Sequence, residues 1–222
     1  MIEIYNKFEL GKFKLTDSIM VINEFKSIVD GSNYSMDIAI DGGEGLYGKI
    51  GQMSTIYDLM YDMITVSSNL ATNILIQLVN AESVTATMRK LGADQIEVLR
   101  GVEDQKAYDL GLSNSTTAND LMLIMQAIAE GRAGAKADCQ QMIEILKDQK
   151  FNDMIPLLLP KSVEVAHKTG SITGVHHDSA IVYLPDGRYY ILVLLSKNLG
   201  DFEKITRQMA EISKSVYDFM VQ

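Results

Sequence analysis

Two short runs in this 222-residue chain hold side chains that could do chemistry. Ser67-Ser68-Asn69 sets a hydroxyl beside a carboxamide. The hydroxyl can pass a proton to a leaving group, and the amide can hold a substrate carbonyl and a neighbouring lysine. A Ser-x-Asn triplet arises by chance roughly once in two chains of this size, and its plain reading is a helix cap. Lys168-Thr169-Gly170, with Ser171 next, is rarer, at roughly one chance match in ten chains. An ammonium there binds an anionic substrate and eases deprotonation of a nearby hydroxyl. Thr169 and Ser171 can donate to a carboxylate. Gly170 leaves room for a substrate against the strand edge. The plain reading is a strand that ends and turns on Gly170.

Two further candidates are weaker. Gly43-x-x-x-x-Gly48-Lys49 nearly completes a phosphate-binding loop, and Gly43-x-Gly45-x-x-Gly48 matches a dinucleotide fingerprint. However, Ile50 stands where a Ser or Thr is required, and Asp41 and Glu44 repel phosphate, so the stretch reads as a flexible loop. His167, His176, His177 and Asp178 match no metal-ligand spacing, and no metal or cofactor is expected.

The elements that must position these residues follow from periodicity. A helix over residues 1–10 begins without a polar lead-in or capping residue and ends at Gly11, which suits a C-terminal cap. Residues 12–53 read as irregular. Ile56, Leu59, Met60, Met63 and Ile64 recur as one helix face to about Val66, with Ser54 or Thr55 as cap. A second helix starts near Asn69, and a third spans Glu82 to Leu91. Residues 92–114 are a polar connection. Thr117-Ala-Asn-Asp120 resembles a capping box opening a helix to Glu130, closed by Gly131. Another helix fits 136–148. Val163–Lys168, Ser179–Leu184 and Tyr189–Ser196 are β-rich, the last two joined by the turn signal Pro185-Asp-Gly-Arg188. An amphipathic helix covers 201–220. Helices, then antiparallel strands, then a helix make an α+β fold. No linker divides it, so 1–222 reads as a single domain, with 1–162 mostly helical and 163–222 carrying the strands and closing helix.

Composition narrows the classes. With 47% hydrophobic and 22% charged residues, the chain can build a core. A net charge of −9 without basic clusters argues against nucleic acid as partner. No apolar stretch is long enough for a membrane segment, and Glu3, Lys7 and Glu9 exclude a signal peptide at Met1. The single cysteine, Cys139, excludes an internal disulfide.

The two opening runs, in this order and on these elements, are similar to the Ser-Asp-Asn and Lys-Thr-Gly motifs of class A β-lactamases and penicillin-binding proteins. Met63-Ile-Thr-Val-Ser-Ser-Asn-Leu-Ala-Thr-Asn73 resembles the family's second-motif helix junction, and His167-Lys-Thr-Gly-Ser-Ile-Thr-Gly174 its third-motif strand. The hairpin and closing helix follow suit, so the resemblance spans the chain. It implies a β-lactamase/transpeptidase-like serine hydrolase acting on a β-lactam or a peptidoglycan-peptide-like amide or ester. Such bacterial enzymes are typically exported, periplasmic or extracellular. The resemblance gives Ser67 the proton relay and Lys168 the anchoring of the substrate carboxylate, with Asn69, Thr169, Gly170 and Ser171 binding substrate.

Three departures stand out. No serine is followed by lysine three residues on, so the family's nucleophile motif, Ser-x-x-Lys, is absent. Ile2–Leu10 resembles the later turns of the helix that this motif opens, and Gly11-Lys-Phe-Lys-Leu-Thr-Asp17 the connection after it. The motif is therefore expected upstream of Met1, with two strands and a helix before it. The 222 residues read as about the last four-fifths of a larger domain, inactive as they stand. Second, in Arg100-Gly-Val-Glu-Asp104, Val102 occupies the place of the family's deacylating glutamate. Glu103, one step on, is the candidate general base, and Arg100 with Asp104 could tie the loop by an ion pair. A weak base favours a penicillin-binding or esterase-like relative over an efficient β-lactamase. Third, Ser68 replaces an aspartate that chiefly supports the turn. The competing class is a non-catalytic binding or structural remnant. Loss of the N-terminal strand should bare the edge of Tyr189–Ser196 and drive a symmetric homodimer.

Overall fold

Eight α-helices, two short 3-10 helices (Ile38–Ile40 and Glu44–Lys49) and seven strands make up the regular structure of residues 1–198 and 200–222, the residues described by a computed structural model of the chain. They fall into two units, Met1–Thr117 and Ala118–Gln222.

In the first unit, Ile2, Ile4 and Tyr5 drive α1 (Ile2–Glu9) into the core, where Tyr5 is fully buried. Its last turn closes as the Gly11 N–H donates to Phe8 O (2.8 Å) and the Lys12 N–H to Lys7 O (3.0 Å). That pairing requires a left-handed residue, and Gly11 supplies it at φ 67°. Buried Glu3 is satisfied by the Thr87 hydroxyl at 2.5 Å. Lys7 Nζ donates to Val79 O at 2.6 Å, tying α1 to the end of the third helix.

Residues 12–53 differ from the irregular stretch expected. Strand β1 (Ser18–Met20) pairs antiparallel with β4 (Met53–Thr55), and β2 (Phe25–Lys26) with β3 (Asn33–Tyr34). Strands of two or three residues are too short to show a period of two, and β1 meets its partner across a long loop. The helices sit where their patterns place them. Thr55 caps α2 (Ile56–Thr65), accepting from the Asp58 N–H at 3.0 Å. Ser68 caps α3 (Asn69–Val79), accepting from the Ala71 N–H at 3.2 Å. Asn80 ends α3 and caps α4 (Ala81–Lys90). The 92–114 connection carries a short helix, α5 (Gln105–Asp109), and one bridge, Glu97 to Ser115.

In the second unit, α6 (Ala118–Ala129) and α7 (Lys136–Lys147) precede an antiparallel sheet of β5 (Val165–Ile172), β6 (Val175–Tyr183) and β7 (Tyr189–Lys197), in that order. The closing helix is α8 (Phe202–Met220). Ala180, Val182 and Tyr190 pack with Ile155, Leu159 and Tyr217 of α8 into one core cluster. On the other face Ile181 is fully buried, and Lys147 of α7 lies over the Tyr183 ring at 5.2 Å. The sheet is therefore covered on both faces, which explains its near-continuous apolar runs.

Two strands run further than their patterns indicate. β5 continues to Ile172 and β6 begins at Val175, because Gly174 (φ 73°) closes a tight turn between them. The expectation that the strand ends at Lys168 and turns on Gly170 is thereby corrected. Lys168 lies mid-strand opposite Ser179, and Gly170 opposite His177.

Candidate active site

The first cluster of candidate residues lies in the first unit, at the start of α3. Ser67 sits in the left-handed region at φ 54°, and Glu103 does so at φ 60°. Non-glycine residues there cost about 1–3 kcal/mol each and persist only where surroundings impose them. Around Ser67-Ser68-Asn69 those surroundings are specific. The Asp41 carboxylate accepts from the backbone N–H of Asn69 (2.9 Å), Leu70 (2.9 Å) and Gly43 (2.7 Å), and from the Tyr47 hydroxyl (3.0 Å). A carboxylate at a helix N-terminus also meets the positive end of the helix dipole. Burial, then the hydrogen bond to Asp41, pushes the Tyr47 phenol above its ordinary range. Gly43 packs so closely that a Cβ there would fall 2.3 Å from Ser68 Cβ. The Gly-rich stretch is thus an anchored wall of the junction rather than the flexible loop expected.

Asn69 Nδ2 donates to Glu103 Oε1 at 2.7 Å, and the Asp37 N–H donates to Glu103 Oε2 at 3.2 Å. The loop bearing Glu103 is fixed by Asn73. Its Oδ1 accepts from the Val102 N–H (2.6 Å) and its Nδ2 donates to Val102 O (3.0 Å). The clamp needs Gly101, since a Cβ there would come 2.2 Å from Asn73 Oδ1. Ser67, Asn69 and Glu103 are therefore brought together locally, with Val102 held by its backbone.

The expected Arg100–Asp104 ion pair is replaced by other partners. Arg100 Nε donates to Leu112 O (2.8 Å) and Nη1 to Gly101 O (2.9 Å). Asp104 accepts from Ser27 Oγ (2.9 Å), the Ile28 N–H (2.9 Å) and the Ala107 N–H (3.2 Å). Burial raises the Asp104 pKa, but these bonds and the Arg100 charge leave it below its ordinary range. Arg100 serves the loop through backbone carbonyls, and Asp104 through backbone amides and the Ser27 hydroxyl.

The second cluster lies in the second unit, on β5. Lys168 is half-buried, and its Nζ donates to Thr169 O at 2.6 Å. Desolvation lowers its pKa to about 8, against an opposing pull from the Asp178 carboxylate. Alternation puts Lys168 and Gly170 on one face of β5 and His167, Thr169 and Ser171 on the other. Gly170 and Ser171 are exposed.

The histidines that raised the question of a metal are engaged elsewhere. His167 Nδ1 lies 3.0 Å from Asp178 Oδ1, both residues fully buried. His176 Nε2 lies 3.1 Å from Thr206 Oγ1, and its ring meets Phe202 edge-on. His177 Nδ1 lies 3.1 Å from the Ser196 amide nitrogen. Asp41 and Asn73 were missed by sequence reasoning. Asp41-Gly42-Gly43 carries the signal of an aspartate folding over its own turn, but its partner helix lies well downstream. Asn73 sits inside an ordinary helical pattern.

A helix junction offering Ser67 and Asn69, a strand carrying Lys168-Thr169-Gly170, and an α+β frame of this order define a serine hydrolase of the β-lactamase kind. The chain belongs to the β-lactamase enzyme family, whose family model matches residues 1–220. Among solved structures it is similar to the β-lactamase from Sphaerobacter thermophilus DSM 20745, with 26% identity and a TM-score of 0.80 over 97% of this chain and 77% of that one. It shares its fold with TLA-1 extended-spectrum β-lactamase (21% identity, TM-score 0.82, 100% of this chain and 81% of that one). A third similar structure is a leucine-to-glutamate variant of PBP-A as its acyl-enzyme complex with penicillin G (21% identity, TM-score 0.79, 99% of this chain and 77% of that one). No curated protein matches the sequence.

Proposed function

We propose that this chain binds a β-lactam or a related amide or ester through the substrate's carboxylate, and that these 222 residues form no acyl-enzyme. The observation that carries the reading is a family framework with both downstream motifs, Ser67-Ser68-Asn69 and Lys168-Thr169-Gly170, beside the absence of any Ser-x-x-Lys. Lys168 pairs with the substrate anion, and Thr169, Gly170 and Ser171 line the strand against which it lies. Asn69 holds the acyl side chain or its carbonyl. Ser67 is the group that would relay a proton to the leaving nitrogen or oxygen, if a nucleophile were supplied. Glu103 is the candidate base for hydrolysis of an acyl intermediate, and its hydrogen bond with Asn69 supports that role. Incubation with a fluorescent penicillin followed by denaturing electrophoresis tests the claim. No covalent band is expected, while binding in solution is. A labelled band would sink the reading.

The same missing motif favours a second reading, a non-catalytic binding protein that keeps the framework. Ligand binding without turnover at any enzyme concentration separates it from a slow hydrolase. The outer edge of β7 has no strand partner among the described residues, and β7 is apolar from Tyr190 to Leu195. An unpaired apolar edge templates further pairing, so we propose that the protein self-associates there as a symmetric dimer.

A further inference from the structure

The corner of the first unit at Asn69 carries negative charge that no protein cation answers. Glu103 Oε1 accepts from Asn69 Nδ2 at 2.7 Å, and Oε2 from the Asp37 N–H at 3.2 Å. A carboxylate oxygen can accept two hydrogen bonds, so each keeps one position for a ligand. Asp37 is exposed, and among the described residues only its Oδ1 is engaged, capping Ile38–Ile40 through the Ala39 N–H at 2.9 Å. Asp41, satisfied by its four donors, adds a third carboxylate to the same wall. Among the described residues none of the three forms an ion pair. Their charge reaches a neighbour. After burial and the Asp41 hydrogen bond, the Glu103 and Asp37 carboxylates add to what keeps the Tyr47 phenol protonated.

We propose that the acyl group taken at Asn69 bears an α-ammonium, which donates to Glu103 and Asp37. The assignment rests on the reading that Asn69 holds the acyl carbonyl, and adds the charge of the group beyond it. Asn69 commits one amide hydrogen to Glu103 and keeps a second for that carbonyl. An acyl oxygen so held lies two hydrogen bonds from Glu103 Oε1, about 6 Å. An ammonium on the next carbon closes that gap with one charge-assisted hydrogen bond. A neutral side chain gains nothing from the two carboxylates, and an anionic one is repelled by them. The substrate class is therefore an aminoacyl amide or ester rather than a neutral acyl one.

Penicillin G and ampicillin differ only in the α-ammonium of the second. Their dissociation constants are measured by calorimetry on the full chain at about pH 6.5, where an α-amine is charged. Ampicillin is expected to bind about fivefold tighter at low salt. That ratio should fall toward one at about 500 mM salt, and in Glu103→Gln and Asp37→Asn, each of which removes a charge and keeps the shape. Binding of ampicillin alone also supports the proposal. Equal affinity for two ligands that both bind, or a preference that both folded variants retain in full, overturns it and leaves the functional reading standing. If neither ligand binds, both fall. Should the variants fail to fold, the salt series on the unchanged protein decides, and a preference that salt does not weaken overturns the proposal.

Discussion

Replacing Asp41 with alanine is the most informative single perturbation of the first cluster. Two of its partners, the N–H groups of Gly43 and Leu70, form buried hydrogen bonds. Each left unsatisfied costs about 1–3 kcal/mol. Loss of the carboxylate from the start of α3 adds about 0.3–1 kcal/mol. Water can reach the Asn69 N–H and the Tyr47 hydroxyl, which makes their share smaller. Together these give about 2–7 kcal/mol. Urea unfolding should show that loss as a lower midpoint with an unchanged slope. At about 2–4 °C per kcal/mol for a chain of this size, the melting temperature should fall by about 4–28 °C. Asp41→Asn keeps one acceptor oxygen and should cost roughly half as much. An Asp41→Ala protein destabilised by less than about 1 kcal/mol would refute the view that this carboxylate holds the loop to the helix.

Three further outcomes are expected. Gly43→Ala forces a methyl group to within 2.3 Å of Ser68 Cβ, and overpacking of this kind costs about 1–3 kcal/mol; unchanged urea stability would contradict the close approach. The Lys168 pKa is about 8 in the folded chain and about 10.4 when unfolded. The unfolded state therefore binds more protons between these values, and stability attributable to Lys168 rises with pH there. The stability difference between the unchanged protein and Lys168→Met should grow from about pH 8 to about pH 10, and a flat difference would sink the assignment. Light scattering should report a dimer that Val193→Lys, on the β7 edge, converts to monomer; a monodisperse unchanged monomer counts against self-association.

Helices were legible wherever a local signal marked their ends. Ser68, Thr55 and Gly11 act within a turn of themselves, so neighbouring residues suffice to read them. The hairpin Pro185–Arg188 is equally local, with the Leu184 N–H donating to Arg188 O at 2.8 Å. The short strands of residues 12–53 were not legible, because their pairing is settled by partners far along the chain. The candidate site divides the same way. Ser67, Asn69 and Lys168 announce themselves by type and spacing. Asp41 reaches across 28 residues to Asn69 and Asn73 across 29 to Val102, and nothing in either local sequence names the partner. Gly170 by type suggests a turn just after Lys168, whereas the turning glycine is Gly174. The pairing of His167 with Asp178 joins adjacent strands, and no local spacing announces it.

The way α8 is attached bears on how the second unit is made during synthesis. Ser213 Oγ donates to Ile155 O at 2.8 Å, Arg188 Nη2 donates to Met220 O at 3.0 Å, and Tyr217 stands in the same core cluster as Ala180 and Val182. The hairpins of β5 to β7 can form as they leave the ribosome, but one face of their sheet stays bare until Tyr217 and Met220 have emerged. A nascent chain paused before residue 213 therefore carries an open apolar sheet with no helix to cover it, the form most prone to aggregate. Docking of α8 is therefore the step that closes this face of the second unit.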